Sequence, residues 1–130
     1  MEISNFDYVL LSIWEEYTKD KYTDYNRINQ RELGLDTEEF IKILKELDEQ
    51  RYITGLKFSG RGNFCVPWVD RMVLTDKALV YISNIGKENY ENEIGYERTE
   101  KNIKISSLLK LAYDELKDIG TIVAAKVLKE

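Results

Sequence analysis

The sequence predicts an α+β fold that is mostly α, and three observations carry that prediction. Apolar residues recur at helical spacing in four separate stretches, a run of period two lies between the third helix and the fourth, and glycines and cap-forming polar residues mark the boundaries. The 130 residues, 43% hydrophobic and 33% charged, suffice for one domain with a real core and need no disulfide or metal staple.

Between Asn5 and Lys19, the residues Phe6, Val9, Leu10, Ile13 and Tyr17 form one buried stripe of a helix that Ser4 or Asn5 caps. A polar segment, Asp20 to Asn26, leads to a short second helix, Arg27 to Leu33, closed by Gly34 at C′. Asp36, three residues before Glu39 in a capping-box-like arrangement, opens a third helix from Thr37 to about Gln50 with Phe40, Ile43, Leu44 and Leu47 on one face. Arg51 to Phe58 alternates Tyr52, Thr54, Leu56 and Phe58 against Ile53 and Lys57, so it reads as a strand in which Gly55 marks a bulge. Ser59 to Asn63 is a turn signal, and Val69 to Leu74 is the return strand of a hairpin. Thr75 and Asp76 begin a fourth, short helix to about Asn84, supported by Leu79, Ile82 and Ile85.

Residues 85 to 104 are polar and mixed in charge, without an apolar period, and read as a linker or a loosely held helix. Helical spacing returns in Ile105, Leu108, Leu109, Ala112, Leu116, Ile119, Val123 and Val127. This is either one long helix or two segments divided at Gly120, with Thr121 capping the second. A helix of about 25 residues runs about 37 Å, longer than the preceding domain can cover. Leu108, Leu109, Ala112, Leu116, Ile119, Val123 and Val127 are therefore the expected dimerisation residues of a homodimer. The expected organisation is a domain over 1–84, a linker over 85–104 and an amphipathic C-terminal helix over 105–130.

A short helix, a brief turn and a longer helix is the helix-turn-helix order, and the hairpin after it is placed as a wing. The junction Leu74 to Ile82 (LTDKALVYI) resembles the Leu-Thr-x-x-Gly pattern that closes the wing in many winged-helix regulators, with Ala78 where glycine is usual. More narrowly, LKELDEQRYITGLKF and VPWVDRMVLTDKALVYI are similar to the YjcQ-like family of small phage and prophage winged-helix proteins. The resemblance covers about the first 83 residues. It implies a winged helix-turn-helix of three helices and a two- or three-stranded wing in a phage or prophage setting, and carries no activity with it.

Composition narrows the function. Nineteen Lys and Arg against 24 Asp and Glu give a net charge of −5, so no global positive field recruits polyanions and nucleic-acid binding must rest on a local patch. One cysteine, Cys65, and no histidine exclude an internal disulfide, His-based triads and the common zinc sites. Cys65 has no neighbour to lower its pKa and reads as inert. Asp20, Asp24 and Asn26 alternate like calcium ligands but lack the loop glycine and closing Glu of an EF-hand, so no metal is expected. Neither a catalytic frame nor a glycine-rich phosphate loop is present, and the expectation is a non-enzyme without a cofactor. The first twenty residues carry acids at Glu2 and Asp7 and no basic leader, and no stretch nears the apolar length of a membrane span. With a free thiol, a cytoplasmic location is expected and a membrane partner is not.

Double-stranded DNA is the first expected partner, in transcription regulation. Lys42 and Lys45 lie on the third helix, where recognition residues sit in helix-turn-helix proteins, although that helix also carries Glu38, Glu39, Glu46, Asp48 and Glu49 and is net −3. Lys57, Arg61 and Arg71 on the wing would straddle a phosphate backbone, with Arg27 and Arg31 adding contacts. The rival expectation is an adaptor that binds a host or phage protein through the acidic third helix and the apolar stretch Phe64, Val66, Pro67 and Trp68.

Overall fold

In the computed structural model of the chain, the residues described are 3–20, 28–60, 66–69, 72–89 and 100–116. Five helices and four short strands follow in the order α1 (Asn5–Asp20), α2 (Gln30–Leu33), α3 (Thr37–Glu49), β1 (Ile53–Thr54), β2 (Lys57–Ser59), β3 (Val66–Trp68), β4 (Val73–Leu74), α4 (Asp76–Asn89) and α5 (Glu100–Leu116). The fold is α+β and mostly α. The chain divides into two compact units, Ser12–Thr75 and the combination of Met1–Leu11 with Asp76–Glu130. In this division α4 falls in the same unit as α5.

Helix α1 crosses that division. Ser4 caps it, its Oγ accepting the Asp7 N–H at 3.1 Å while its carbonyl accepts that of Tyr8 at 2.9 Å. The expected stripe understates the burial: every residue from Tyr8 to Trp14 is buried, Ser12 included. This is a helix covered all round over two turns.

Within Ser12–Thr75, Asn29 caps α2, its Oδ1 accepting the Glu32 N–H at 2.9 Å. Gly34, at φ 69°, ends it: the Gly34 N–H donates to the Arg31 carbonyl and that of Leu35 to the Gln30 carbonyl, a Schellman closure. The next helix starts at once. Asp36 stands at the N-cap of α3 but makes no side-chain cap hydrogen bond, so the capping box read from Asp36 and Glu39 does not form on the Asp36 side. The apolar face of α3 is as expected, with Phe40, Ile43, Leu44 and Leu47 all buried.

The ribbon departs from the expected single hairpin. Ile53 and Thr54 of β1 pair antiparallel with Leu74 and Val73 of β4, while Lys57, Phe58 and Ser59 of β2 pair with Trp68, Pro67 and Val66 of β3. Two residues, Gly55 and Leu56, separate β1 from β2, but four, 69 to 72, separate β3 from β4. The surplus thus lies on the return side rather than at Gly55, which at φ 82° only turns the shorter side. Val69 and Met72 at the two ends of that longer insert are fully buried, and the Met72 N–H donates to the Val69 carbonyl at 3.0 Å. The base of the ribbon is tied by Thr75, whose hydroxyl donates to the Arg51 carbonyl at 2.6 Å.

In the other unit, α4 runs five residues beyond the expected end at Asn84, and α5 starts at Glu100 rather than Ile105. Of the stretch 85–104 expected as a linker or loosely held helix, 85–89 and 100–104 are helical, and 90–99 lie outside the described residues. Ile85, Gly86 and Asn89 are buried. A Cβ on Gly86 would stand 2.9 Å from the backbone nitrogen of Tyr113 and 3.3 Å from the Ala112 Cβ, so α4 and α5 approach closely because position 86 has no side chain. Ser83 Oγ donates to the Leu116 carbonyl at 3.2 Å, and Asn89 Nδ2 donates to the Ile85 carbonyl one turn back at 2.8 Å. The N-terminal turn of α1 joins α4 through the Tyr81 hydroxyl, which donates to Asp7 Oδ1 at 2.6 Å, and through an edge-to-face contact of Phe6 with Tyr81.

This packing changes the reading of the C-terminal stripe. Leu108, Leu109, Ala112 and Leu116 are each at most 4% exposed within a single chain, with α5 lying along α4. These four side chains, expected to serve dimerisation, are thus core residues of the single chain. Ile119, Val123 and Val127, and continuity through Gly120, lie outside the described residues.

Candidate nucleic-acid interface

Helix α3 presents a face set directly by its periodicity. Glu38, Lys42, Lys45 and Glu49 follow one another at i, i+4, i+7 and i+11 and are all exposed. At about 100° per residue these four span an arc of about 60°, centred almost opposite the buried stripe of Phe40, Ile43, Leu44 and Leu47. The crest of the helix is therefore two lysines between two glutamates, with no net charge. The remaining acids stand beside it: Glu39 and Glu46 are half-buried on one flank and Asp48 is exposed on the other. The helix as a whole is net −3, yet its crest is balanced, with the two cations midway along the axis.

Lys45 is held. Its Nζ lies 5.4 Å from the centroid of the Phe58 ring on β2, a cation–π contact that ties the crest of α3 to the ribbon. Phe58 is half-buried and reaches Lys45, so its neighbour Lys57 projects to the opposite face of β2, where it is exposed. Arg31 is exposed on α2. Of the expected cations, the structure thus brings Lys42 and Lys45 onto one face and sets Lys57 on another. Arg27, Arg61 and Arg71 lie outside the described residues.

One cation was not expected. Arg51 was read as the start of a strand but stands at the C′ position of α3 with φ 62°, exposed, one residue past the C-cap Gln50. Its N–H donates to the Asp48 carbonyl at 3.1 Å and that of Tyr52 to the Leu47 carbonyl at 2.9 Å, the two bonds of a Schellman closure with arginine in the place usual for glycine. The signal that normally announces this turn is the glycine itself, so nothing in the residue types marked it.

The apolar stretch proposed for a protein partner is partly core. Pro67 is buried on β3 and Val69 follows it into the interior. Val66 and Trp68 occupy β3 opposite Ser59 and Lys57, and Phe64 lies outside the described residues.

A surface hollow at the start of α3 is lined by Asp36, Thr37, Glu38, Glu39 and Lys42, three acidic residues and one basic. Among the described residues no three acidic or cysteine side chains converge as a metal site, and no helix is long and apolar enough to cross a membrane. No protein-family model, no curated protein and no solved structure matches this chain.

Proposed function

We propose that Ser12–Thr75 is a winged helix-turn-helix unit, that β2 and β3 form its wing, and that it binds duplex DNA as a regulatory module of the phage or prophage type. One observation carries the reading: Lys42 and Lys45 occupy the middle of the α3 face turned directly away from the core, the face such a helix sets into the major groove. The tight return from α2 to α3 through Gly34, Leu35 and Asp36 supports it, as does the paired ribbon that follows α3. With the chain net −5, binding rests on these local cations and is strongly salt-dependent.

Anisotropy titration of a labelled mixed-sequence duplex with the full chain, at low and moderate salt, tests this. The double substitution Lys42→Ala with Lys45→Ala is expected to weaken binding by about 1–3 kcal/mol for each groove contact removed. Arg61→Ala, run beside it, tests the wing and is expected to lower the slope of log affinity against log salt by about 1. Absence of binding at low salt sinks the DNA reading.

A protein-interaction adaptor is the second reading, and the hollow at the start of α3 favours it. Asp36, Glu38 and Glu39 crowd the helix end that a recognition helix presents first to the bases, where phosphates would repel them. Those carboxylates suit a basic segment of a protein partner, for which duplex binding is absent at any salt.

A further inference from the structure

We infer that the duplex this chain prefers carries G·C pairs under the crest of α3, and that Glu38 is the residue that enforces the preference; the inference rests on the DNA-binding reading above. In the major groove lysine donates to guanine O6 and N7, glutamate accepts from the cytosine N4 amino group, and adenine is read by Asn or Gln. The crest holds Glu38, Lys42, Lys45 and Glu49, acceptors for cytosine and donors for guanine, and no amide side chain. Gln50 lies past the end of the helix.

Spacing allows these groups to act on neighbouring pairs. Glu38 and Lys42 are separated by about 6 Å along the axis, and Glu38 and Lys45 by about 10 Å, or about three base-pair rises. Glu38 and Lys42 are exposed, and neither side chain is in an ion pair or hydrogen bond among the described residues. Lys45 is steadied over Phe58 and so loses less side-chain freedom on binding.

The acids then acquire a role that the affinity argument denies them. A carboxylate carried into the groove is repelled by the phosphates of every sequence, and only a cytosine amino group returns a charge-assisted hydrogen bond. Glu38 consequently lowers affinity for all duplexes and lowers it most for those that offer no such donor, which is discrimination by a repulsive element.

The test is competition at low salt between unlabelled G·C-rich and A·T-rich duplexes of equal length for the full chain bound to a labelled mixed duplex. The A·T-rich competitor is expected to be about tenfold weaker. Glu38→Gln is expected to tighten binding of the A·T-rich duplex and to shrink the ratio to about twofold, because the repulsion is gone and an amide reads adenine. Equal competition by the two duplexes, or preference for A·T, overturns the inference and leaves DNA binding standing. A ratio unchanged in Glu38→Gln overturns the assignment to Glu38. Failure of both duplexes to bind overturns the DNA reading and this inference with it.

Discussion

Helix α3 buries its surface by an apolar stripe alone, whereas the α4–α5 pair adds to its apolar residues a close approach of backbones. In α3 a stripe of four large apolar residues, Phe40, Ile43, Leu44 and Leu47, faces inward and the charged crest faces outward, so the residue pattern and the packing are one statement. Between α4 and α5 a close approach occurs at a glycine. Gly86 meets the backbone of Ala112 and Tyr113, Ser83 bonds the Leu116 carbonyl, and Asn89 satisfies its own buried amide on Ile85. The difference teaches that burial by apolar area is visible to a hydropathy pattern, whereas burial by close backbone approach uses residues that read as polar or empty.

Truncating the α3 stripe is the largest expected effect. Phe40→Ala removes a fully buried ring and leaves a cavity, and is expected to destabilise by about 3–5 kcal/mol in urea unfolding. A loss under about 1 kcal/mol would place the ring outside the core and break the contrast with α4.

Gly86→Ala sharpens the same comparison through its sign. At an open helical site Gly→Ala stabilises by about 1 kcal/mol. Here the added methyl would lie 2.9 Å from the Tyr113 nitrogen, a backbone atom that cannot swing aside, so the two helices must separate. The expected outcome is a destabilisation of about 1–3 kcal/mol despite the gain in helix propensity. A stabilised variant would show that α5 does not pack against position 86.

How much of this was legible follows from the same physics. The α3 stripe and the Gly34 closure are written in side chains whose chemistry acts locally, and the structure shows both; of the two caps expected for α1, Ser4 or Asn5, it is Ser4 that accepts the Asp7 N–H. Residues 85–89 read as linker because Gly86, Lys87, Glu88 and Asn89 lack an apolar period, although they complete the last turns of α4. The bulge was placed at Gly55 because glycine is the visible marker, while the surplus on the return strand is fixed by pairing register, a long-range property that no local residue announces. The placement of the candidate cations is legible to a similar extent. Lys42 and Lys45 follow from helical period alone, but the contact of Lys45 with Phe58 joins residues thirteen apart across a helix and a strand, and Lys57 could not be assigned a face until β2 was in register.

The two Schellman closures supply the smallest expected effect. Gly34 and Arg51 occupy the same C′ position with φ of 69° and 62°, and both are followed by the paired hydrogen bonds of the motif. Glycine takes this conformation without strain, whereas an L side chain there costs about 1–2 kcal/mol. Replacing Arg51 with glycine relieves that strain but frees the unfolded chain by about 0.4–1 kcal/mol, so a net stabilisation of about 0.5 kcal/mol, near 2 °C in Tm, is expected. The same substitution removes an exposed cation one residue past the end of α3, and under the DNA reading it lowers duplex affinity together with about 1 unit of salt slope. A variant that gains stability and loses DNA binding identifies the arginine as held in a strained turn for its charge. One that gains stability and binds as before leaves Arg51 a solvated residue that glycine would serve better, and confines the interface to the crest of α3 and the wing.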